Sequence, residues 1–407
     1  MRNLREQKKE VRQVRKNRVP VKLGLEKILE EKLYLLKNKR IGLICNQASV
    51  NHRFEHAADL FFENEEIDLK ALFGPQHGIR GDVQDNMIET SHTVDKKTGL
   101  PVYSLYSETR EPTAEMLADL DAVVFDLQDV GCRVYTFIYT MANAMRACAK
   151  YSKKFIVLDR PNPINGRDVE GNNLERGHES FVGLFPIPMR HGLTVGELAR
   201  LFNGEYGIGC ELEVVEMDGW QRDLFYDETD GPWVIPSPNM PTVDTAVVFP
   251  GTVLFEGTKV SEGRGTTRPF EFIGAPYFDG QEYGAALAEL DLPGVIFRPT
   301  NFLPTFQKHK GVGCSGVFIH VTDRDAFEPF LTGVALVKTA YELYKSHFEW
   351  KDPPYEYEFE RNPFDVINGT KRIREFIENG EPLENIKLSW QKDVESFIET
   401  RSKYLLY

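Results

Sequence analysis

The run Leu-Lys-Ala-Leu-Phe-Gly-Pro-Gln-His-Gly-Ile-Arg-Gly at 69–81 passes from apolar residues to glycine, proline, an amide, an imidazole and a guanidinium within a few positions. A buried strand that breaks off in this way points to a site. Ligands of α/β proteins sit in the crevice beyond the carboxyl ends of parallel strands. Three other apolar runs of the first half break off alike. The run at 40–45 gives way to Asn46 and Gln47. The run at 122–127, which contains Asp126, leads to Gln128 and Asp129. The run at 155–159 leads to Arg160, Pro161 and Asn162. Turn chemistry alone explains any one such cluster; four of them on parallel strands converge on one rim.

Helical patterns near 55–62, 113–120 and 135–151 separate these strands. Thr194 and Glu197 form a capping box that opens another helix through Asn203, and a strand at 212–215 follows. This alternation predicts an α/β fold, a Rossmann-like and mostly parallel sheet covered on both faces. Prolines crowd residues 232–250, which predicts a structured crossing without regular helix. Strands near 295–297 and 316–321, a helix over 326–347 and a charged helical tail from 371 complete the pattern. The expected organisation is a basic extension over 1–22, a Rossmann-like domain over 23–244, and a smaller α+β domain over 245–407 that closes the cleft.

The chain has 407 residues, 41% of them hydrophobic, so sizeable cores are within reach. A net charge of −13 argues against nucleic acid as the partner. The basic N-terminal stretch is followed by no apolar core or cleavage site, and no window reaches the length of a membrane span. Five scattered cysteines lack metal or redox spacing, which fits reduced thiols and a cytoplasmic protein. No P-loop ending and no Gly-x-Gly-x-x-Gly follows the first strand, so no cofactor is expected. No His/Asp cluster suggests a metal.

In the second half, Ser-Glu-Gly-Arg-Gly-Thr-Thr-Arg at 261–268 alternates small residues with two arginines. Glycines let backbone N–H groups approach a ligand, and arginine grips carboxylates. The loop reads as an anion site or as a glycine-rich turn. His77 and His191 each lie on a polar tip and are open to a catalytic or a structural role. Aromatic residues such as Tyr135 offer faces on which a sugar ring stacks, or simply pack the core.

In order along the chain stand Cys-Asn-Gln at 45–47, FGPQHG at 73–78, VFDLQDVGCRVYT at 124–136, VLDRPNPINGRDVEG at 157–171, FVGLFPIPMRHGLTVGELA at 181–199, PSPNMP at 236–241 and FPGTVLFEGTKVSEGRGTTRPFE at 249–271. Together they resemble the exo-β-N-acetylmuramidase family of the NamZ type. The resemblance implies a Rossmann-like domain, a smaller domain and a cleft between them. It also implies release of terminal N-acetylmuramic acid from peptidoglycan fragments, with an amino sugar or muropeptide as ligand. The loop at 261–268 then gains a ligand, the lactyl carboxylate of muramic acid.

The chain departs from the family pattern at Gln76, where the resemblance implies a catalytic Glu. An amide cannot exchange a proton as a carboxyl does, and glycoside cleavage ordinarily uses two carboxyl groups. The expected general acid is Asp82 or Glu89, with Asp85 near them, and its expected partner is Asp126 or Glu262. His77 is the base in a third reading, hydrolysis of another glycoside or ester. The expected substrate-binding residues are Asn46, Gln47, Gln76, Gln128, Arg133, Tyr135, Arg160, Asn162, Arg190, His191, Arg264, Thr266 and Arg268. The alternative to hydrolysis is an amino-sugar binding or sensing protein that keeps the cleft.

Overall fold

A computed structural model describes residues 18–81, 88, 89 and 91–407. The main sheet holds β1 (Arg40–Cys45), β2 (Asp68–Gly74), β3 (Thr93–Val94), β4 (Pro101–Ser104), β5 (Ala122–Asp126) and β6 (Lys154–Leu158). A hairpin of β7 (Glu170–Asn173) and β8 (Pro188–Arg190) precedes its last strand, β9 (Glu211–Val215). The strand order is β3-β4-β2-β1-β5-β6-β9. Every neighbouring pair is parallel except the edge pair β3 and β4. The chain therefore builds outward from β1 to β4, returns to β5 beside β1, and builds outward again. The point between β1 and β5 is where such a sheet opens a crevice.

The apolar runs are continuous because both faces of these strands are covered. Ile41, Leu43, Val124 and Ile156 pack on one side of the sheet, and Ile44, Phe73, Phe125 and Val157 on the other. The helix Phe137–Lys150 and the capped helix Val195–Gly204 belong to the second side.

A smaller antiparallel sheet follows, formed by β10 (Phe272–Ala275), β11 (Val295–Phe302) and β12 (Cys314–Val321) in the order β10-β12-β11. Helix Gly280–Ala288 packs against it and against helix Pro329–Leu343. Four helices between Pro363 and Arg401 end the chain. Both ends of the described residues reach the main-sheet half. Val19 N–H donates to the Glu228 carbonyl at 2.8 Å. Tyr407 donates its hydroxyl to Asp159 Oδ2 at 2.7 Å. Among the described residues no helix is long and apolar enough to cross a membrane.

One expectation is corrected. The proline-rich stretch does hold a helix, Val243–Thr252, with Pro250 inside it. The prolines up to Pro241 make the crossing, and Thr242 then caps the helix by accepting from Thr245 N–H. Pro250 denies the Ala246 carbonyl its helical amide donor, and soon after it the helix gives way to the 3-10 segment Val253–Gly257. This helix crosses Pro329–Leu343 at two glycines. A Cβ on Gly333 would lie 2.2 Å from the Gly251 carbonyl oxygen, and a Cβ on Gly251 would lie 1.9 Å from the Pro329 carbonyl oxygen. The crossing sets the height at which Val253–Gly257 enters the cleft.

Helix propensity alone favours alanine over glycine by about 1 kcal/mol, but a backbone oxygen cannot move aside as a side chain does. We therefore expect Gly333→Ala to destabilise the protein by about 2 kcal/mol or more. Urea unfolding measures this, and a neutral or stabilised variant would contradict the close crossing.

Candidate active site

β2 ends at Gly74 and the chain turns at once. Gly78 N–H donates to the Pro75 carbonyl at 2.9 Å, with His77 in the left-handed region at φ 70°. A positive φ at the third position of such a turn ordinarily calls for glycine. The turn aims Gln76 inward, where it is buried. The Gln76 carboxamide oxygen accepts from the Thr136 hydroxyl at 2.5 Å. Its Nε2 donates to the Tyr106 hydroxyl and to Glu356 Oε1, both at 3.1 Å. Tyr106 in turn donates to Glu356 Oε2 at 2.7 Å.

Glu356 stands on a two-residue turn. Tyr355 and Glu358 exchange backbone hydrogen bonds of 2.9 Å in both directions. Between them Glu356 and Tyr357 have φ of 46° and 66°. Such turns favour Asn-Gly. A Glu-Tyr pair there costs on the order of 1 kcal/mol or more per residue, and strain of this kind clusters at functional positions. Burial raises the Glu356 pKa, the nearby Glu256 charge adds to the rise, and hydrogen bonds from Tyr106 and Gln76 oppose it.

Glu256 enters from the opposite wall on the 3-10 segment Val253–Gly257. Burial works against its charge, yet Arg264, the Tyr355 hydroxyl and Lys308 outweigh burial and hold its pKa below the ordinary value. Arg264 Nη2 pairs with Glu256 Oε1. Tyr355 donates its hydroxyl to Glu256 Oε2 at 2.7 Å. Arg264 Nε lies 3.4 Å from Glu262, which Lys308 holds at 2.7 Å. The resulting cleft, partly open to solvent, spans about 500 Å³ and is lined by residues that include Gln76, His77, Tyr135, Glu256, Arg264 and Glu356. It therefore holds two buried carboxyl groups whose surroundings push their proton affinities apart. That is the arrangement by which one carboxyl serves as acid and the other as carboxylate.

The expected site residues divide sharply. Gln76, His77, Tyr135 and Arg264 line the cleft, and Glu262 lies beside it in an adjoining pocket. Glu89 is exposed, its Oε1 3.4 Å from the Tyr357 hydroxyl. Asp82 and Asp85 lie outside the described residues. Asp126 does not face the cleft lining: Arg160 grips it with two bonds, of 2.6 and 2.8 Å, and both side chains are buried. These two residues expected at the ligand thus satisfy each other. Asn46 and Gln47 donate to the carbonyls of Pro236 and Ile235 and tie down the proline-rich crossing. Gln128 donates to the Pro161 carbonyl and Asn162 to the Leu193 carbonyl. Arg190 donates to the Ile164 carbonyl. His191 Nε2 lies 3.3 Å from Asp129, fully buried.

Arg133 is fully buried and serves carbonyls. Its guanidinium donates to Asn172, Ile187, Ile367 and Asn368 oxygens, joining the main-sheet half to the helix Pro363–Asn368. Thr266 bonds back to the Gly263 carbonyl, and Arg268, half exposed, pairs with Glu271. The glycines of this loop are explained by packing, since a Cβ on Gly265 would lie 2.7 Å from Phe306 N. The turn reading accounts for the loop backbone, and Arg264 alone of its arginines enters the cleft.

Sequence reasoning missed Glu256 and Glu356. Glu256 sits in the Phe-Glu-Gly-Thr segment eight residues before Arg264, a spacing short enough to suggest a pair. Glu356 carried a fainter signal, the alternation of aromatic and acidic residues in Tyr-Glu-Tyr-Glu-Phe-Glu just after two prolines. Among the described residues no three His, Cys, Asp or Glu side chains group as metal ligands.

The comparisons with known proteins agree along nearly the whole chain. Residues 41–244 match the family model for "Exo-beta-N-acetylmuramidase NamZ, N-terminal", and residues 247–407 match its C-terminal counterpart. The peptidoglycan beta-N-acetylmuramidase NamZ of Bacillus subtilis (strain 168) is 50% identical over 387 residues, covering 95% of this chain and 91% of that protein. Two crystal structures of DUF1343 family proteins from Bacteroides fragilis NCTC 9343 are similar. One has a TM-score of 0.87 at 38% identity and covers 96% of this chain and all of that one. The other has a TM-score of 0.76 at 32% identity and covers 95% and 99%.

The Asp126–Arg160 geometry separates a structural from a catalytic role. Removing one partner of a buried pair strands the other charge, at about 3–5 kcal/mol. Asp126→Asn is expected to lose stability of that order in chemical denaturation. A variant that keeps its stability and loses turnover would return Asp126 to the chemistry.

Proposed function

We propose that this chain, which belongs to the exo-beta-N-acetylmuramidase NamZ family, is a glycoside hydrolase that removes a terminal N-acetylmuramic acid-like sugar from peptidoglycan fragments. The observation that carries this reading is the buried pair Glu356 and Glu256 in one cleft, one favouring its proton and the other its charge. The B. subtilis relative, a peptidoglycan beta-N-acetylmuramidase by name, supports the substrate class.

In this reading Glu356 is the general acid. Burial and the neighbouring carboxylate favour its protonated form, and it gives its proton to the glycosidic oxygen as the bond breaks. Glu256 is the carboxylate that faces the developing positive charge on the ring, or that activates water. Arg264 and the Tyr355 hydroxyl keep it ionised in a buried place. Gln76 supplies a neutral donor. It holds Glu356 through Nε2 and adds no second negative charge beside the acid. Gln76 therefore positions the acid, and the proton-transfer role rests with Glu356. His77, at the strained turn beside Gln76, faces the same cleft and is placed to orient the sugar.

The test is turnover of a chromogenic N-acetylmuraminide. Glu356→Gln keeps shape and hydrogen bonding but removes the proton, so kcat is expected to fall at least about 100-fold with ligand affinity retained. The wild-type kcat/KM should decline on the alkaline side at a pH above the ordinary carboxyl range, because the acid is active only while protonated. On the acidic side it should decline below that range, because Glu256 resists protonation. Unchanged turnover in the variant would assign the acid elsewhere.

A further inference from the structure

The cleft continues past Tyr355 into a second pocket of about 430 Å³, which Arg264, Lys308, Lys351, Gln307, Glu256 and Glu262 help to line. Glu356 also belongs to the lining; with that carboxyl protonated, as the acid role requires, the charges do not cancel. Glu256 and Glu262 are matched by Arg264 and Lys308 through the contacts described above. Lys308 is fully committed, since its ammonium also donates to the carbonyls of Phe255 at 2.7 Å and Val260 at 3.1 Å. Lys351 remains as a third cation. Among the described residues it has no carboxylate within salt-bridge distance, and its ammonium lies 5.5 Å from the centre of the Tyr355 ring.

A second observation points the same way. Arg264 is 7% exposed, yet its Nη1 has no hydrogen-bond partner among the described residues. An orphaned guanidinium N–H in a buried place costs free energy until an acceptor meets it. One unmatched cation and one unmatched donor together define a place for a single anion with at least two oxygens.

From this juxtaposition we propose that Arg264 Nη1 and Lys351 Nζ form the subsite for a carboxylate carried by the sugar ring itself, the lactyl group that distinguishes a muramic from a glucosamine unit. The inference rests on the hydrolase reading of the same cleft and deepens it by naming what selects the substrate. Arg264 is shared: one edge holds Glu256 ionised, and the free Nη1 meets the substrate carboxylate. Recognition and the ionisation of Glu256 therefore pass through one guanidinium. Lys351 is the specificity-determining residue, because it adds attraction for the carboxylate without touching either carboxyl group of the reaction. Arg268 has no part in this subsite, being paired with Glu271 and absent from the pocket lining.

The experiment compares wild type, Lys351→Met and Lys351→Arg on a chromogenic N-acetylmuraminide and the matching N-acetylglucosaminide, which lacks the lactyl group. A charge-assisted hydrogen bond is worth about tenfold or more in affinity. Lys351→Met is expected to raise KM for the muraminide by that factor with little change in kcat, and to narrow the gap between the two substrates. Lys351→Arg is expected to restore most of the preference. A KM for the muraminide that does not move, or a rise shared equally by both substrates, would overturn the subsite. If wild type cleaves neither substrate, the hydrolase reading falls. Calorimetry with free N-acetylmuramic acid and N-acetylglucosamine then still decides the subsite: a muramic preference that Lys351→Met abolishes supports it, and equal affinities refute it.

Discussion

Two carboxyl groups buried in one cleft cannot both carry charge unless a cation is spent on one of them. Arg264 is that cation. It pairs with Glu256 and lies next to Glu262, while Glu356 across the cleft is hydrogen-bonded by the neutral donors Tyr106 and Gln76 and feels Arg264 only through space. This asymmetry separates an acid from a carboxylate using residues of the same type. In the absence of Arg264 the two groups would compete for one proton, and neither role would be fixed.

The fold serves this asymmetry by bringing together walls that are distant in sequence. The parallel sheet delivers Gln76 and Tyr106 from the ends of β2 and β4. The glycine crossing of Val243–Thr252 against Pro329–Leu343 sets the position of Glu256. The strained turn at 355–358 then carries Glu356 down onto the sheet ends. Arg133, bonded to four carbonyls of both halves, keeps the helix Pro363–Asn368 close to that turn. The rim residues between β1, β5 and β6 are largely spent on each other, with Asp126 and Arg160 as the clearest case. They make a rigid floor beside the ligand.

The strands of the main sheet were legible because buried parallel strands must be continuously apolar and must end in polar turns. The main sheet therefore showed itself at 40–45, 69–73, 122–127 and 155–159. The helix at 243–252 was hidden by prolines, since a crowd of them before it and Pro250 within it both argue against helix. The role of each polar residue was less legible still, since it depends on partners that sequence proximity does not reveal. Asp126 and Arg160 are 34 positions apart, and Gln76 and Glu356 are 280 positions apart. A residue such as Arg133 looks like a ligand-binding arginine until four carbonyl oxygens are seen around it. Glu256 and Arg264 lay within reach of sequence reasoning, as a carboxylate and an arginine flanking a glycine-rich loop.

The central claim is that the two carboxyl groups differ in proton affinity because of what surrounds them. Site-resolved titration of the glutamate side-chain carboxyl carbons by NMR, with Glu256 and Glu356 assigned through single substitutions, measures this directly. The account predicts that Glu356 titrates above the ordinary glutamate range and Glu256 below it. Titration of both groups together at an ordinary value, or in the reverse order, would contradict it.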